Sequence, residues 1–418
     1  MNIRTVDQFI FDSPYLSKRK PLIDNWLHGC ILLTSLYVIF ALLLIGIPGL
    51  SRGGIVSVFF SCSWLAYGVL FQNRIFPRIL YIPLMFYVVI FCLGFLVYDY
   101  PVEAVGKLST AWLGAITIAA FVANGVSLRF VVFCFMVVIF ANLVAYSLGY
   151  DGRAVHVLPN SEYYNPYAEI KRVTALVGQT NLLVAFAFTL PFLFFLFRKN
   201  LGLYVLLLNS VLCVIFMFLT ASRSTLPFTF LYFCFGFLLF IKTSWIQAII
   251  GAIGMLFLCL CAYVILTYSV IDILSNSLFA EIHFIERILE ALYRESGSVE
   301  DRVALAKDFV PHFIEKPFVG YGPDQFKEVV GNGLYAHNNF AELLINYGLL
   351  GAMCYYSMYV IIFLNIVKYS RVNIYLIAPL IYLISTEFVF VTHVERPLIL
   401  LLCLMLVAST NFPIRQKV

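Results

Sequence analysis

The chain has 418 residues, of which 62% are hydrophobic and only 12% are charged, and its formal net charge is +5. Soluble domains carry roughly 25% charged residues, so this composition excludes an ordinary soluble fold. Apolar runs of about 20 residues recur along the whole chain, and each is long enough to span the hydrocarbon of a bilayer as a helix. Because the runs are continuous rather than alternating, they favour helices over strands.

The sequence predicts an all-α, polytopic membrane helix bundle of about twelve transmembrane helices, within a single membrane domain that covers residues 1–418. The spans are expected at residues 28–48, 54–71, 79–98, 108–126, 130–149, 174–197, 201–220, 224–241, 245–268, 338–366, 373–391 and 396–412. Lys and Arg concentrate in alternate connections, and this bias marks the cytoplasmic side. The connections assigned to that side include Arg74, Arg78, Arg129, Arg198 and Lys368. Both termini are therefore expected in the cytoplasm.

One long outer loop, residues 269–337, is inserted before the last three spans. A loop of this length is usually functional or disordered. Residues 281–294 place apolar side chains at helical spacing, which indicates an amphipathic helix at the membrane surface. A second helix is expected at about residues 299–315, with an end before Pro317. A turn should follow it.

Three arginines are predicted at the outer edge of the membrane, where a charge is costly and each one is a functional hypothesis. Arg223 lies in a minimal turn between two apolar spans, and its alternative role is to reach the lipid headgroups or anchor the turn. Arg172 precedes the sixth span and could equally be an ordinary loop charge. Arg302 lies near the start of the second loop helix, with a surface ion pair to Glu300 or Asp301 as the alternative.

His337 ends the long loop at the entrance of the next span. A histidine can act as a general base near neutral pH, although at a helix entrance it is more often a cap or a packing residue. Three arginines and this histidine on one side of the membrane suit a lipid-linked phosphate, because guanidinium groups bind diphosphates in bidentate fashion.

The sequence lacks the residues that nucleotide-phosphate binding and metal binding require. The chain has no phosphate-cradling Gly-rich loop of the Walker type, no HExxH sequence and no cluster of His and Cys at zinc spacing, so neither a metal site nor a cofactor is predicted. The acids of residues 281–295 resemble the solvated face of a helix. Glu387, Glu395 and Arg396 lie near the outer end of the eleventh span, and they either pair with one another or help to line the site.

These residues together resemble the O-antigen ligase and O-antigen polymerase superfamily. The resemblance covers roughly residues 170–365, and the rest of the chain only in its layout of spans. The stretches that carry it are residues 178–181 (GQTN), 222–224 (SRS), 301–303 (DRV), 320–322 (GYG), 336–340 (AHNNF) and 346–348 (NYG). Each stretch is loose by itself, but their order and spacing are specific.

The resemblance implies a metal-independent glycosyltransferase of the bacterial inner membrane, with its active site on the periplasmic side. Its donor would be a glycan on undecaprenyl diphosphate. By the same resemblance Arg223 and Arg302 would hold the diphosphate, with Arg172 assisting, and His337 would position or deprotonate the acceptor hydroxyl. Substrate-binding roles fall to the motif residues Asn338 and Tyr321.

Members of the superfamily differ in the acceptor that receives the glycan. A polymerase joins lipid-linked repeat units, whereas a ligase moves the polymer to lipid A-core. Residues 336–344 resemble the polymerase branch more closely, and a chain-length regulator protein is then a candidate partner beside the lipid bilayer. No nucleic-acid partner is expected. A polysaccharide or small-molecule transporter is the alternative of another class, but it needs polar residues at mid-span, which are few here.

Overall fold

In the computed structural model of the chain, every regular element among the described residues is a helix. The structure describes residues 29–30, 32–36, 59, 62–63, 66, 76–93, 102–124, 128–148, 180–197, 209, 211–213, 215, 225–240, 309–330, 336, 338–368, 376–388 and 390–411. The all-α prediction is confirmed over these ranges.

The helices follow one another along the chain with short 3-10 turns at two of their ends. They are α1 (Tyr81–Cys92, preceded by the 3-10 turn Arg78–Leu80), α2 (Val102–Ala123), α3 (Leu128–Ser147), α4 (Thr180–Phe194, extended by Phe195–Phe197), α5 (Thr225–Phe240), α6 (Phe326–Val329), α7 (Asn339–Lys368), α8 (Ile377–Thr386) and α9 (Arg396–Asn411). Residues 309–315 are also helical, and this stretch ends before Pro317 as predicted.

Eight of these helices, α1 to α5 and α7 to α9, coincide with predicted spans. Helix α2 begins at Val102, before the predicted start of the span at residue 108. Its first turns include the charged residues Glu103 and Lys107. The predicted spans at 28–48, 54–71 and 201–220 are described only in short pieces. The span at 245–268 and the amphipathic helix at 281–294 lie outside the described residues.

Two of the described helices are long and apolar enough to cross a membrane, by length and composition: Leu128–Ala145 within α3, and Asn339–Lys368. Their outward faces are apolar as well. Helix α3 exposes Phe133, Met136, Val137, Phe140 and Val144, which follow one another at helical spacing. A helix that is apolar on both its buried and its exposed faces suits contact with lipid rather than water.

Helix α9 occupies the interior of the bundle. Its side chains from Leu398 to Ala408 are all buried, and it packs mainly against α2 and also against α7 and α4. Trp112 of α2 is fully buried. Its ring contacts the ring of Phe86 from α1 edge to face, with 4.7 Å between the ring centroids. The central helices are therefore held by apolar packing on all sides.

Helix α7 is interrupted at Gly348, whose φ of 61° and ψ of −164° are not helical. The break divides α7 into a buried first segment, residues 339–347, and a second segment, residues 349–368. The second segment has about 20 residues and spans about 30 Å at 1.5 Å per residue, close to the thickness of the bilayer hydrocarbon.

The turn formed by residues 317–322 fills the break in α7. Its amides at Tyr321 and Gly322 donate to the carbonyls of Ile345 and Asn346, both at 2.8 Å. In return, Leu349 and Leu350 of the second segment donate to the carbonyls of residues 317 and 318 at 2.8 and 3.1 Å. The backbone groups left open by the broken helix are thus satisfied by the turn.

Candidate functional site

The predicted catalytic residues Arg223, Arg302 and His337, together with Arg172, lie outside the described residues. Their positions in space, and whether they meet, stay predictions. The structure does describe both flanks of His337 and the predicted substrate-binding residues Asn338 and Tyr321.

Asn338 caps the first segment of α7. Its side-chain oxygen accepts hydrogen bonds from the amides of Phe340 at 2.9 Å and Ala341 at 3.4 Å, and its carbonyl accepts one from the amide of Glu342. This is the N-cap role that Asn performs well, and the sequence analysis did not predict it. Substrate binding by its free amide N–H groups stays a prediction.

Tyr321 is engaged by its own turn. Its hydroxyl donates to the Glu315 carboxylate at 2.6 Å, and the ammonium of Lys316 lies 4.5 Å from the centre of its ring. These contacts fix the turn against the end of the helical stretch 309–315. A role for Tyr321 in binding substrate is untested by this arrangement.

The chain just before His337 is fixed by Glu342, a buried carboxylate that the sequence analysis did not single out. The amide of Ala336 donates to Glu342 Oε1 at 2.9 Å, and Asn346 Nδ2 donates to Glu342 Oε2 at 3.3 Å. Asn346 in turn accepts the amide of Phe326 at 2.8 Å. One carboxylate therefore connects α6, α7 and the residue that precedes His337.

The chain just after His337 is fixed through Asn339, which is fully buried. Its amide donates to the carbonyl of Glu387 at 2.8 Å, and its Nδ2 donates to Glu387 Oε2 at 2.6 Å. Its Oδ1 accepts the backbone amide of His393 at 3.2 Å and contacts His393 Nδ1 at 2.6 Å. A carboxylate only accepts, so the amide nitrogen of Asn339 must face Glu387, and His393 carries its proton on Nδ1.

The Glu387 carboxylate, at the end of α8, is 1% exposed and accepts hydrogen bonds from five side chains. The donors, all hydroxyl or amide groups, are Asn339, Tyr355, Tyr356, Tyr359 and Thr392. We call these six residues the Glu387 cluster. The two oxygens of an ionised carboxylate offer about four lone-pair directions, so five donors use its full acceptor capacity. Glu387 therefore unites both segments of α7, the end of α8 and the following turn.

His393 lies in the turn between α8 and α9 and is 1% exposed. Its ring contacts Tyr347 edge to face at 5.4 Å, and its carbonyl accepts the indole N–H of Trp112 at 2.9 Å. Burial lowers the pKa of its imidazole to about 3, so the ring is neutral at pH 7. A neutral, enclosed histidine of this kind is a structural partner of Asn339.

The N-terminal amides of α7 are all used within the protein. Those of Phe340 and Ala341 bind the Asn338 side chain, and the amide of Asn339 binds the Glu387 carbonyl. A helix N-terminus with free amides commonly binds anions, but this one has none left to offer. The amides of residues 339–341 are therefore unavailable to an anionic substrate. Within the described ranges, no group of three or more His, Cys, Asp or Glu is arranged to hold a metal ion.

Comparison with known families shows that residues 208–356 match the family model described as O-antigen ligase. The match spans about a third of the chain and confirms the resemblance inferred from the sequence. It includes Arg223, Arg302 and His337, along with α5, α6 and the break in α7, and it ends before the Glu387 end of α8. No curated protein matches the chain.

Proposed function

We propose that this chain, whose residues 208–356 match the O-antigen ligase family model, is a membrane glycosyltransferase that transfers a glycan from undecaprenyl diphosphate. The match itself supports a membrane enzyme of the O-antigen ligase and polymerase type, in polysaccharide biosynthesis. The observation that carries the proposal is that this match contains Arg223, Arg302 and His337 in the order of the motifs.

In the proposed reaction, the acceptor hydroxyl attacks the anomeric carbon of the donor sugar, whose bond to the diphosphate oxygen breaks. His337 takes the proton of the hydroxyl, since a positioned base accelerates such a step by typically 10²–10⁴-fold. The leaving lipid diphosphate gains negative charge. Arg223 and Arg302, with Arg172 assisting, stabilise that charge through fixed hydrogen-bond donors, so no metal is needed.

Two features of the described residues support this assignment of roles. The amides of residues 339–341 are occupied within the protein, so the proposal assigns the diphosphate to the arginines rather than to this helix N-terminus. The backbone is also fixed one residue before His337, at Ala336, and two residues after it, at Asn339. A general base benefits from a support of this kind, because its accepting atom must lie about 2.6–3.2 Å from the atom that carries the proton.

The most specific form of the proposal is a polymerase that joins lipid-linked repeat units, because residues 336–344 resemble that branch. The second candidate is a ligase that uses lipid A-core as acceptor, and the description of the matching family favours it. For either activity we propose an inner-membrane, multi-pass protein with cytoplasmic termini and residues 269–337 in the periplasm. A cysteine introduced at residue 276 should then react with an impermeant thiol reagent in intact spheroplasts.

The experiment that tests the function is the lipopolysaccharide banding pattern of a deletion strain, with the wild-type gene restored as control. A core bearing a single repeat unit indicates a polymerase. A bare core, with polymer left on the lipid carrier, indicates a ligase. Unchanged banding and unchanged lipid-linked intermediates would contradict both.

A further inference from the structure

The helical stretch 309–315 and the turn that follows it have an exposed apolar face. We propose that residues 309–318, which we call the anchor segment, lie in the surface of the lipid bilayer and contact its acyl chains with this face. The inference does not depend on the proposed function, because it concerns only how this part of the chain meets the membrane.

The exposed face consists of three apolar side chains spaced four residues apart. Val310 is 49% exposed, Ile314 67% and Phe318 70%. The side of the helical stretch that faces the protein is apolar as well. There Phe309 and Phe313 stack with their ring centroids 5.7 Å apart, and both pack against the small core around α6. Apolar side chains on the outward as well as the inward side suit contact with lipid rather than water.

Polar side chains occupy the remaining side of the helical stretch. At 100° per residue, the two phenylalanines together with Val310 and Ile314 occupy an arc of about 140°. His312 and Glu315 lie on the opposite side of the same helix. A division of this kind is typical of helices that lie in the plane of a membrane surface, with their apolar side toward the acyl chains.

The depth of the anchor segment in the bilayer follows from its attachment to α7. The amide of Leu349 donates to the carbonyl of Pro317 at 2.8 Å, and the amide of Leu350 donates to that of Phe318 at 3.1 Å. Leu349 and Leu350 begin the second segment of α7, which is about as long as the bilayer hydrocarbon is thick. The end of the anchor segment therefore lies where the hydrocarbon meets the headgroups.

The apolar face of the anchor segment adjoins the outward face of α7. Exposed apolar side chains recur at helical spacing along the whole second segment of α7, at Leu350, Met353, Val360, Leu364 and Val367. The first residue of this row is hydrogen-bonded to Phe318, the last residue of the exposed face of the anchor segment. Lipid therefore suits both surfaces, and the membrane that surrounds α7 is the partner that this face fits.

Two residues beside the exposed face suit the headgroup layer. The ammonium of Lys316 lies 4.5 Å from the centre of the Tyr321 ring, and the Tyr321 hydroxyl donates to the Glu315 carboxylate at 2.6 Å. Tyrosine is enriched at membrane–water interfaces, and a lysine there can extend its ammonium to the phosphates while its methylene chain stays in apolar surroundings. The polar side of the anchor segment thus faces headgroups and water.

The first test uses the full-length protein in nanodiscs of phosphatidylethanolamine and phosphatidylglycerol. The photoreactive amino acid p-benzoylphenylalanine is introduced at residue 314 or 318. Phe363, exposed on α7, is the reference position for lipid contact, and Glu328, exposed on α6, is the control. After illumination, mass spectrometry should find lipid adducts at residues 314 and 318 in a yield close to that at residue 363 and at least about tenfold above that at residue 328.

The second test compares Ile314→Asp with the matched control Ile314→Leu by amide hydrogen exchange in the same nanodiscs. The side chain of Ile314 is exposed in the protein itself, so aspartate would cost little if this face met water. A charge placed against acyl chains is costly, so we expect Ile314→Asp to speed exchange of the peptide 309–318 several-fold. Ile314→Leu keeps an apolar side chain and should exchange as wild type does.

Adducts from residues 314 and 318 to another part of this chain, or to a second copy of it, in place of lipid would overturn the inference. Lipid adducts no more abundant than at residue 328 would overturn it too, and so would equal exchange in Ile314→Asp and Ile314→Leu. If the photoreactive variants do not yield folded protein, the exchange measurement decides. Neither readout needs glycan transfer, so a failure of the proposed function would leave both results unchanged.

Discussion

Asn339 and Glu387, 48 residues apart in the sequence, are joined by a side-chain hydrogen bond of 2.6 Å and by a backbone hydrogen bond of 2.8 Å. Asn339 also accepts two hydrogen bonds from His393. A single carboxamide, two residues after the predicted base in the sequence, therefore links the starts of two helices and the end of a third.

Asn339→Ala should destabilise the protein by about 2 kcal/mol or more, because it removes the acceptor of His393 and a donor to Glu387 in a buried place. The measurement is the thermal midpoint of the purified protein. Gln325→Ala is the control, since that side chain makes no capping hydrogen bond at the start of α6. Equal midpoints for the two variants would contradict the role given to Asn339.

Gly348→Ala should be among the most damaging single substitutions in α7. A Cβ at this position would lie 2.4 Å from the carbonyl carbon and oxygen of Phe318, and the φ of +61° is itself unfavourable for alanine. Strain of this kind costs about 1–3 kcal/mol before the clash is added. Size-exclusion chromatography should show aggregated or poorly expressed protein, whereas Leu350→Ala, on the exposed face of the same helix, should elute as wild type. A well-folded Gly348→Ala would mean that α7 does not need the break.

Acidification should destabilise the wild type partly through His393. Its folded-state pKa of about 3 is below the usual value of 6.5, so below pH 6.5 the unfolded chain takes up a proton that the folded chain refuses. This stability is fully present above about pH 6.5 and falls by up to about 1.4 kcal/mol for each pH unit below it. His393→Asn keeps an N–H donor and cannot titrate. Its thermal midpoint should therefore drop less than that of wild type between pH 7.5 and 5.5, and parallel drops would refute the assignment.

Arg302 should prove sensitive to geometry as well as to charge. Lysine keeps the positive charge but lacks the planar fork that binds two phosphate oxygens at once. We expect Arg302→Lys to be impaired in glycan transfer and Arg302→Ala to be worse, by roughly a further tenfold. Arg153→Ala, which lies outside the stretches of sequence that carry the resemblance, is the control. Full activity in Arg302→Ala would remove this residue from the site.

Apolar run length was enough to predict most helices, because a bilayer imposes a single length and a single backbone solution on each run. The break in α7 was not predicted. Gly348 lies inside an apolar run, and only the backbone of residues 317 and 318 shows why the helix must open there. The local hydrogen bonds of Asn338 and Tyr321 were not predicted either, and the substrate-binding roles assigned to both residues stay predictions.

The Glu387 cluster was beyond sequence reasoning for a different reason. Its members are separated by up to 53 residues in the chain, and each one alone reads as an ordinary tyrosine, threonine or helix-end acid. The alternatives left open for Glu387 were pairing with Glu395 and Arg396 or lining the site. The structure instead gives its carboxylate five hydroxyl and amide donors. The one feature of the sequence that pointed to such a cluster was an acid at the end of an apolar span.

The most direct test of the central claim is the reaction of purified His337→Ala with a lipid-linked donor and acceptor. Donor binding is measured on the same samples, and wild type and Glu328→Gln serve as references. If His337 is the base, glycan transfer should fall by at least about 10²-fold while donor affinity stays within about twofold, because the arginines bind the diphosphate. Transfer at close to the wild-type rate by His337→Ala would contradict the account.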